Sequence, residues 1–282
     1  MSKKTRLFFI FALVSAMLPL VSVQAEDRYG EWCELNIEKS LPRYWSVGAG
    51  TELRAEERTR WSIGANVGYK PIKYLKLNAS YNFLYRNRPD NRREHYKNDV
   101  VSVNNWNGYN LRDAYWSPRH RVSFDATGTV KLWKWFRISV RERYQYTHRM
   151  QSTATDAKYR YAKATDSATG VTTYELKAGY PEYETDTVSA EDSHILRSRL
   201  KLSVDKKGWR FEPFVSVEFH NNLGEDMNLE KIRSAAGCSY KFNKKNELTL
   251  AYILTANIYD EDIHTRLHER LHAVNIGYTY KF

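Results

Sequence analysis

Residues 74–86, Tyr-Leu-Lys-Leu-Asn-Ala-Ser-Tyr-Asn-Phe-Leu-Tyr-Arg, set Leu75, Leu77, Ala79, Tyr81, Phe83 and Tyr85 against Lys76, Asn78, Ser80, Asn82 and Arg86. Apolar and polar side chains alternate with period two, which is the signature of a strand and not the 3.6-residue period of a helix. The same pattern precedes it. Residues 44–55 oppose Trp45, Val47, Ala49, Thr51 and Leu53 to Ser46, Gly48, Gly50, Glu52 and Arg54, and residues 61–69 oppose Trp61, Ile63, Ala65, Val67 and Tyr69 to Ser62, Gly64, Asn66 and Gly68. It also follows, in 119–131, 135–147, 194–204, 209–220, 228–242, 246–259 and 267–282. One residue, Glu142, interrupts the apolar face of 135–147.

The connections between these segments alternate in length. Short ones hold Leu41-Pro42-Arg43, Pro71-Ile72-Lys73, Leu132-Trp133-Lys134, Lys206-Lys207-Gly208 and Asn243-Lys244-Lys245-Asn246, while 87–117 and 148–192 are long and polar. Tight turns at one end and long loops at the other predict an all-β fold, a transmembrane antiparallel up-and-down barrel of 10–12 strands. The short turns would face the periplasm and the long loops the outside. Trp45, Tyr74, Trp133, Trp135, Trp209, Tyr280 and Phe282 fall close to the short turns, where amphipathic rings suit a water–lipid boundary. Trp61 is read as a further interface aromatic, and a second band of rings marks the opposite strand ends. The terminal Phe282, on an alternating last strand, resembles the signal read by the outer-membrane barrel assembly machinery.

The start of the chain points to export. Lys3, Lys4 and Arg6 precede an apolar run from Leu7 to Val21, closed by Val23-Gln24-Ala25, which reads as a signal peptide of residues 1–25. Its removal leaves residues 26–282 as a single outer-membrane barrel domain, with 41 basic against 33 acidic residues, or +8. A content of 42% apolar residues, with one long greasy run, excludes a bundle of transmembrane helices. A soluble secreted barrel or sandwich also alternates. The uniform apolar faces, with aromatics at both ends, favour the membrane.

Strand number is less direct. Residues 31–39 form a weaker eleventh strand, with Cys33, Leu35 and Ile37 opposite Trp32, Glu34, Asn36 and Glu38. Single-chain bacterial barrels have even counts, so ten or twelve strands are expected, and twelve is preferred because 31–39 leads into a turn. Cys33 and Cys238 both fall on apolar faces, which argues against a disulfide or thiol chemistry.

Polar faces turned inward predict a lumen charge network of Glu52, Arg54, Arg121, Asp125, Arg137, Arg141, Arg143, Arg197, Arg199, Glu212, Glu218 and Arg233. Enclosed charges must pair or stay hydrated. A stiffening ladder of ion pairs and a narrow anion-preferring channel are both consistent with this set. The expected role is therefore structural or channel-forming, with outer-membrane lipids as partners.

Loop 87–117 carries Arg88, Arg92 and Arg93 with Trp106, Tyr109, Tyr115 and Trp116, which suits lipopolysaccharide phosphates better than nucleic acid at an outer surface. Loop 148–192 reads as a projecting hairpin with arms near 157–165 and 171–178. Surface recognition through these loops is one alternative role.

A lipid-modifying hydrolase is another, but no catalytic residue, cofactor or metal ligand is assigned. Neither a Gly-x-Ser-x-Gly elbow nor His-Glu-x-x-His is present. His120 with Ser123, and His194 with Ser198, are close in sequence but are expected on opposite sides of their strands. His264 and His268 read as loop histidines.

Several of these segments also carry a family likeness. Trp32 with Leu35-Asn36-Ile37-Glu38-Lys39, then Trp45-Ser46-Val47-Gly48 leading into Glu52-Leu53-Arg54, Tyr81-Asn82-Phe83, His120-Arg121 and the last strand together resemble the outer-membrane β-barrel family catalogued as domain of unknown function 2490. The resemblance covers nearly all of residues 29–282. It implies fold and location, and it brings no activity and no catalytic residues.

Overall fold

The computed structural model describes residues 26–282 apart from 57, 100, 103, 104, 133, 225 and 261–264. The expected signal peptide, Trp133 and His264 lie outside the described residues, as does the His268 side chain. Sixteen strands are present among those described: β1 Glu26–Ser40, β2 Trp45–Ala55, β3 Arg60–Ile72, β4 Leu75–Arg88, β5 Asn91–Tyr96, β6 Trp106–Arg112, β7 Tyr115–Leu132, β8 Phe136–Arg149, β9 Ser152–Thr165, β10 Thr172–Leu176, β11 Glu182–Val188, β12 Glu191–Val204, β13 Phe211–Asn222, β14 Asn228–Lys241, β15 Asn246–Asp260 and β16 Thr265–Lys281. All eleven segments read as strands from their alternation are strands.

Those eleven close a barrel in the order β1-β16-β15-β14-β13-β12-β8-β7-β4-β3-β2. An even count was expected, and the structure corrects it. Every neighbouring pair with a defined register is antiparallel except β1 and β16, which pair in parallel from Glu26 opposite Glu269 to Glu38 opposite Lys281. Up-and-down order sends strands one and eleven the same way, so an odd barrel closes only through a parallel seam. The weak segment 31–39 is the strand that supplies it, and its Trp32, Glu34 and Asn36 face the interior cavity.

Turn chemistry follows the sequence. Arg43 and Tyr44 adopt positive φ between β1 and β2, and the Leu41 amide donates to the Trp45 carbonyl at 2.8 Å. Gly208 takes φ +87° between β12 and β13, a conformation glycine enters without steric cost. Asn243 Oδ1 accepts from the amides of Lys245 and Asn246 between β14 and β15.

The chain divides into two compact units. One comprises the described residues up to Leu84, Arg119–His148 and Asp192–Phe282; the other comprises Tyr85–Pro118 and Arg149–Glu191. The second unit contains a sheet ordered β10-β9-β6-β5, with β11 also pairing with β9. The hairpin expected near 157–165 and 171–178 is β9 with β10, turned at Asp166–Gly170.

Burial in the barrel unit is inverted relative to a water-soluble fold. Leu250, Phe124 and Ile63 are 56%, 55% and 51% exposed, whereas Ser123, Thr255 and Glu218 are 1%, 2% and 3% exposed. The apolar side chains point outward and most of the inward ones are polar. A small interior exception groups Trp32, Ile253 and Ala273 with Ala235 and Leu271.

Candidate functional site

The interior of the barrel holds a cavity of about 540 Å³. Its two sides differ because the sequence gives them different side chains. Strands β2–β4 contribute the small neutral residues Gly50, Ser62, Gly64, Asn66, Asn78, Ser80 and Asn82, together with Glu52, Arg54 and Arg60. Gly50 and Gly64 face each other across β2 and β3. A Cβ on Gly64 would sit 2.1 Å from Asn82 Oδ1, and one on Gly50 would sit 2.2 Å from Asn36 Oδ1. Strands β8, β12 and β14 contribute Arg141, Arg143, Arg197, Arg199, Lys201 and Arg233. The glycine side leaves the room that the long cationic side chains occupy.

Of the expected lumen set, the cavity gathers Glu52, Arg54, Arg121, Arg141, Arg143, Arg197, Arg199, Glu218 and Arg233. Asp125 joins them through Arg143, which donates to both of its oxygens, Nη2 at 2.8 Å. Glu52 accepts from Arg54 at 2.8 and 3.0 Å and from Arg60 at 2.5 Å. Glu218 lies at the centre of another cluster. It pairs with Arg141 and accepts from Arg197 Nη2 at 2.5 Å, while His220 Nε2 lies 2.9 Å from the same carboxylate.

Arg137 and Glu212 are placed elsewhere, near the short turns. There Lys131 and Arg137 both pair with Asp205, Arg137 and Lys241 both pair with Glu212, and Lys281 pairs with Glu247.

Trp32, Arg60 and Glu34 are interior participants outside the expected lumen set. Trp32 is 3% exposed, with the Arg54 and Arg233 guanidinium carbons 3.5 and 4.9 Å from its ring centroid. Arg60 and Glu34 also line the cavity. The signal for Trp32 was its parity with Glu34 and Asn36, which put it on the polar face. Arg60 carries no such signal because it begins its strand, one residue before the alternation becomes visible.

The outer face carries the expected aromatics. Trp45 packs on Tyr69 at 4.7 Å, Lys206 lies 5.1 and 4.5 Å from the Trp135 and Trp209 rings, and Tyr280 stacks on Phe282 at 5.9 Å. All of these, and exposed Tyr74, lie near short turns. Trp61 instead lies at the opposite strand end, edge-on to Phe83 at 6.5 Å.

Polar interruptions of the outer face are paired across strands. Ser198 Oγ donates to Glu142 Oε2 at 2.6 Å, which accounts for the carboxylate among apolar neighbours. Tyr81 pairs with His120, Tyr144 with His194 and Tyr252 with His272, each hydroxyl within 2.5–2.7 Å of Nδ1. The expectation that His194 and Ser198 face opposite sides is corrected, since residues four apart on a strand share a face. Four residues of strand still separate them by about 13 Å, and each is bonded to a different partner. His120 and Ser123 do face opposite sides: Ser123 is buried in the interior and His120 meets Tyr81 outside.

In the second unit, one face of the sheet carries a continuous row of rings. Tyr159 stacks on Tyr109 at 4.6 Å, Tyr109 on Tyr161 at 6.3 Å, Tyr161 on Trp106 at 5.5 Å, and Tyr174 meets Trp106 edge-on at 5.0 Å. Arg92 lies 3.8 Å over Tyr109. On the other face Arg112 holds Asp156 through two hydrogen bonds of 2.6 and 2.7 Å, which keeps that carboxyl below the usual carboxylate range.

Among the described residues no group of three or more His, Cys, Asp or Glu forms a candidate metal site. Cys33 and Cys238 are both free thiols. Residues 29–262 match the family described as "Protein of unknown function (DUF2490)". No curated protein matches the chain.

Proposed function

The chain belongs to the DUF2490 family of proteins of unknown function, and, since the family brings no activity with it, we propose from the geometry that it is a channel-forming barrel of a Gram-negative outer membrane with a narrow, anion-preferring lumen. The observation that carries this reading is the inverted burial. A closed barrel with Leu, Ile, Phe and Trp exposed on the outside and Glu, Asn and Ser buried inside is stable in a hydrocarbon solvent and costly in water. Closure pairs the backbone groups of every strand, as a bilayer demands. The rings near the short turns and the Tyr–His pairs towards the opposite ends suit two interfaces. Anion preference follows from the cavity wall, where nine cationic side chains meet three carboxylates.

In this reading the outer face meets outer-membrane lipids, and β16 is the segment recognised by the barrel assembly machinery after a leader ending near Ala25 is removed. The test is fractionation of the full chain in a Gram-negative host, followed by gels with and without boiling. An outer-membrane band with heat-dependent mobility is expected. In planar bilayers under a potassium chloride gradient, the reversal potential should have the sign of chloride selectivity. A soluble periplasmic band would sink the membrane reading, and a cation-selective pore would sink the anion reading.

A second role, surface recognition, is favoured by the ring row from Tyr159 to Tyr174, with Arg92 beside it. Rings and a cation together suit the sugars and phosphates of lipopolysaccharide. Replacing Trp106 and Tyr161 by Ala should weaken retention on immobilised lipopolysaccharide while leaving heat-modifiable mobility unchanged. Undiminished retention would remove this role.

A further inference from the structure

The charge imbalance of the cavity is concentrated in particular residues. Arg54, Arg60, Arg141, Arg143 and Arg197 have carboxylate partners. Arg121 and Arg233 do not: among the described residues they donate only to hydroxyls, Arg121 to Thr147 at 3.3 Å and Arg233 to Thr255 at 3.2 Å. Both lie within electrostatic reach of Arg54, Arg60 and Arg197, and Arg233 also of Glu34 and Glu218, neither of which it contacts. A group of guanidinium ions this close, inside a closed wall, repel one another unless an anion joins them.

A second observation points the same way. The Trp32 indole Nε1 and the Arg60 Nε are buried on the cavity wall without a hydrogen-bond acceptor among the described residues. Both groups are donors with no acceptor capacity. Trp32 is held in place by the two guanidinium groups over its ring, so its N–H is fixed and not free to seek a partner by rotation. Buried polar groups are ordinarily satisfied. Unpaired donors and cations without a carboxylate in contact, contributed to one cavity by β1, β3, β7 and β14, select a ligand that supplies negative charge and several acceptor oxygens together. The cavity volume of about 540 Å³ lies within the range of small-ligand sites, about 300–1,000 Å³.

We propose that Arg121 and Arg233, with the Trp32 indole N–H and Arg60, form a binding site for a multivalent oxyanion inside the barrel. A phosphate or a polycarboxylate meets this chemistry: planar guanidinium groups engage two oxygens at once, and the indole N–H contributes a third, neutral contact. Chloride offers one centre and no such geometry. The inference deepens the reading of the lumen as an anion path by naming the ligand class and the residues that would bind it.

The experiment uses the full chain, purified in detergent and checked for heat-modifiable mobility. Orthophosphate, pyrophosphate and citrate are titrated calorimetrically at constant ionic strength, with chloride as the balancing ion. Saturable binding of at least one of the three is expected, and the phosphate and citrate arms distinguish the two classes. Arg121→Gln with Arg233→Gln should weaken that binding by tenfold or more. Trp32→Phe, which keeps the ring and removes the N–H, should weaken it by about threefold to tenfold; it also decides the matter should the double variant not fold. A folded barrel with no saturable binding, or with binding unchanged in the variants, overturns the proposal. Such a barrel, still fractionating with the outer membrane, would leave the membrane reading standing. Binding by a soluble barrel would do the reverse.

Discussion

Two regions of the same barrel handle charge in opposite ways. Near the short turns, Lys131, Arg137, Lys241 and Lys281 are matched by Asp205, Glu212 and Glu247, and each cation has a carboxylate in contact. In the cavity, cations outnumber carboxylates three to one, and Arg121, Arg199, Lys201 and Arg233 have no carboxylate in contact among the described residues. A matched ladder needs nothing further to be stable. An unmatched cluster stores repulsion that a ligand can relieve. Position in the fold, and not residue type, separates these roles, since arginine serves in both.

That contrast is sharpest at Glu218, which among the described residues is the one carboxylate in contact with Arg141, Arg197 and His220. Glu218→Gln should lower stability by about 3–5 kcal/mol, because removing one partner of a buried network strands the others. The denaturant midpoint of the purified barrel measures this. A loss no larger than that of Arg137→Ala would erase the distinction between the regions.

Next in size is the glycine side of the cavity. A Cβ on Gly64 would also come within 2.5 Å of the Tyr81 carbonyl oxygen, so Gly64→Val must displace β4 or Asn82. The expected cost is about 1–3 kcal/mol, with a lower single-channel conductance in planar bilayers. Unchanged conductance would show that this side does not bound the ion path.

The short-turn ladder should respond more weakly. Arg137→Ala leaves Asp205 with Lys131 and Glu212 with Lys241, in a partly exposed setting, so the expected cost is about 1 kcal/mol or less. The same denaturation experiment reads it, and a loss of several kcal/mol would mean that this end is as tightly coupled as the cavity.

Smallest is the Arg112–Asp156 pair of the second unit. Its carboxyl is held low by Arg112, so its stabilising contribution is full above the unfolded carboxylate value of about 3.9 and fades as pH falls through the lowered folded value. Asp156→Asn should remove that pH dependence at a neutral-pH cost below about 1 kcal/mol. Limited proteolysis of residues 149–191 across pH 3–7 would register it; identical profiles for variant and wild type would leave the pair without a measurable role.

Much of the barrel was legible because period-two alternation is a local property. Leu75 to Tyr85 declare a strand without reference to anything distant, and Asn243 or Gly208 declare a turn in the same way. Parity also assigned Glu52, Arg54 and Arg199 to the interior. Parity misled where it was counted wrongly, at His194 and Ser198, and it was silent about which inward charges meet. Arg137 and Arg141 share a face of β8 four residues apart, yet one joins Asp205 and Glu212 while the other joins Glu218.

The sequence by itself determined the strands of the barrel, their two faces and the positive balance of the interior, since each is fixed by neighbours along the chain. The tertiary structure decided the count of eleven, the parallel seam, and the separation of a matched ladder from an unmatched cavity. These depend on which strands become neighbours around the barrel and in what register. Charge pairing acts across a few ångströms of space between residues such as Arg137 and Glu212, which are 75 positions apart in the chain.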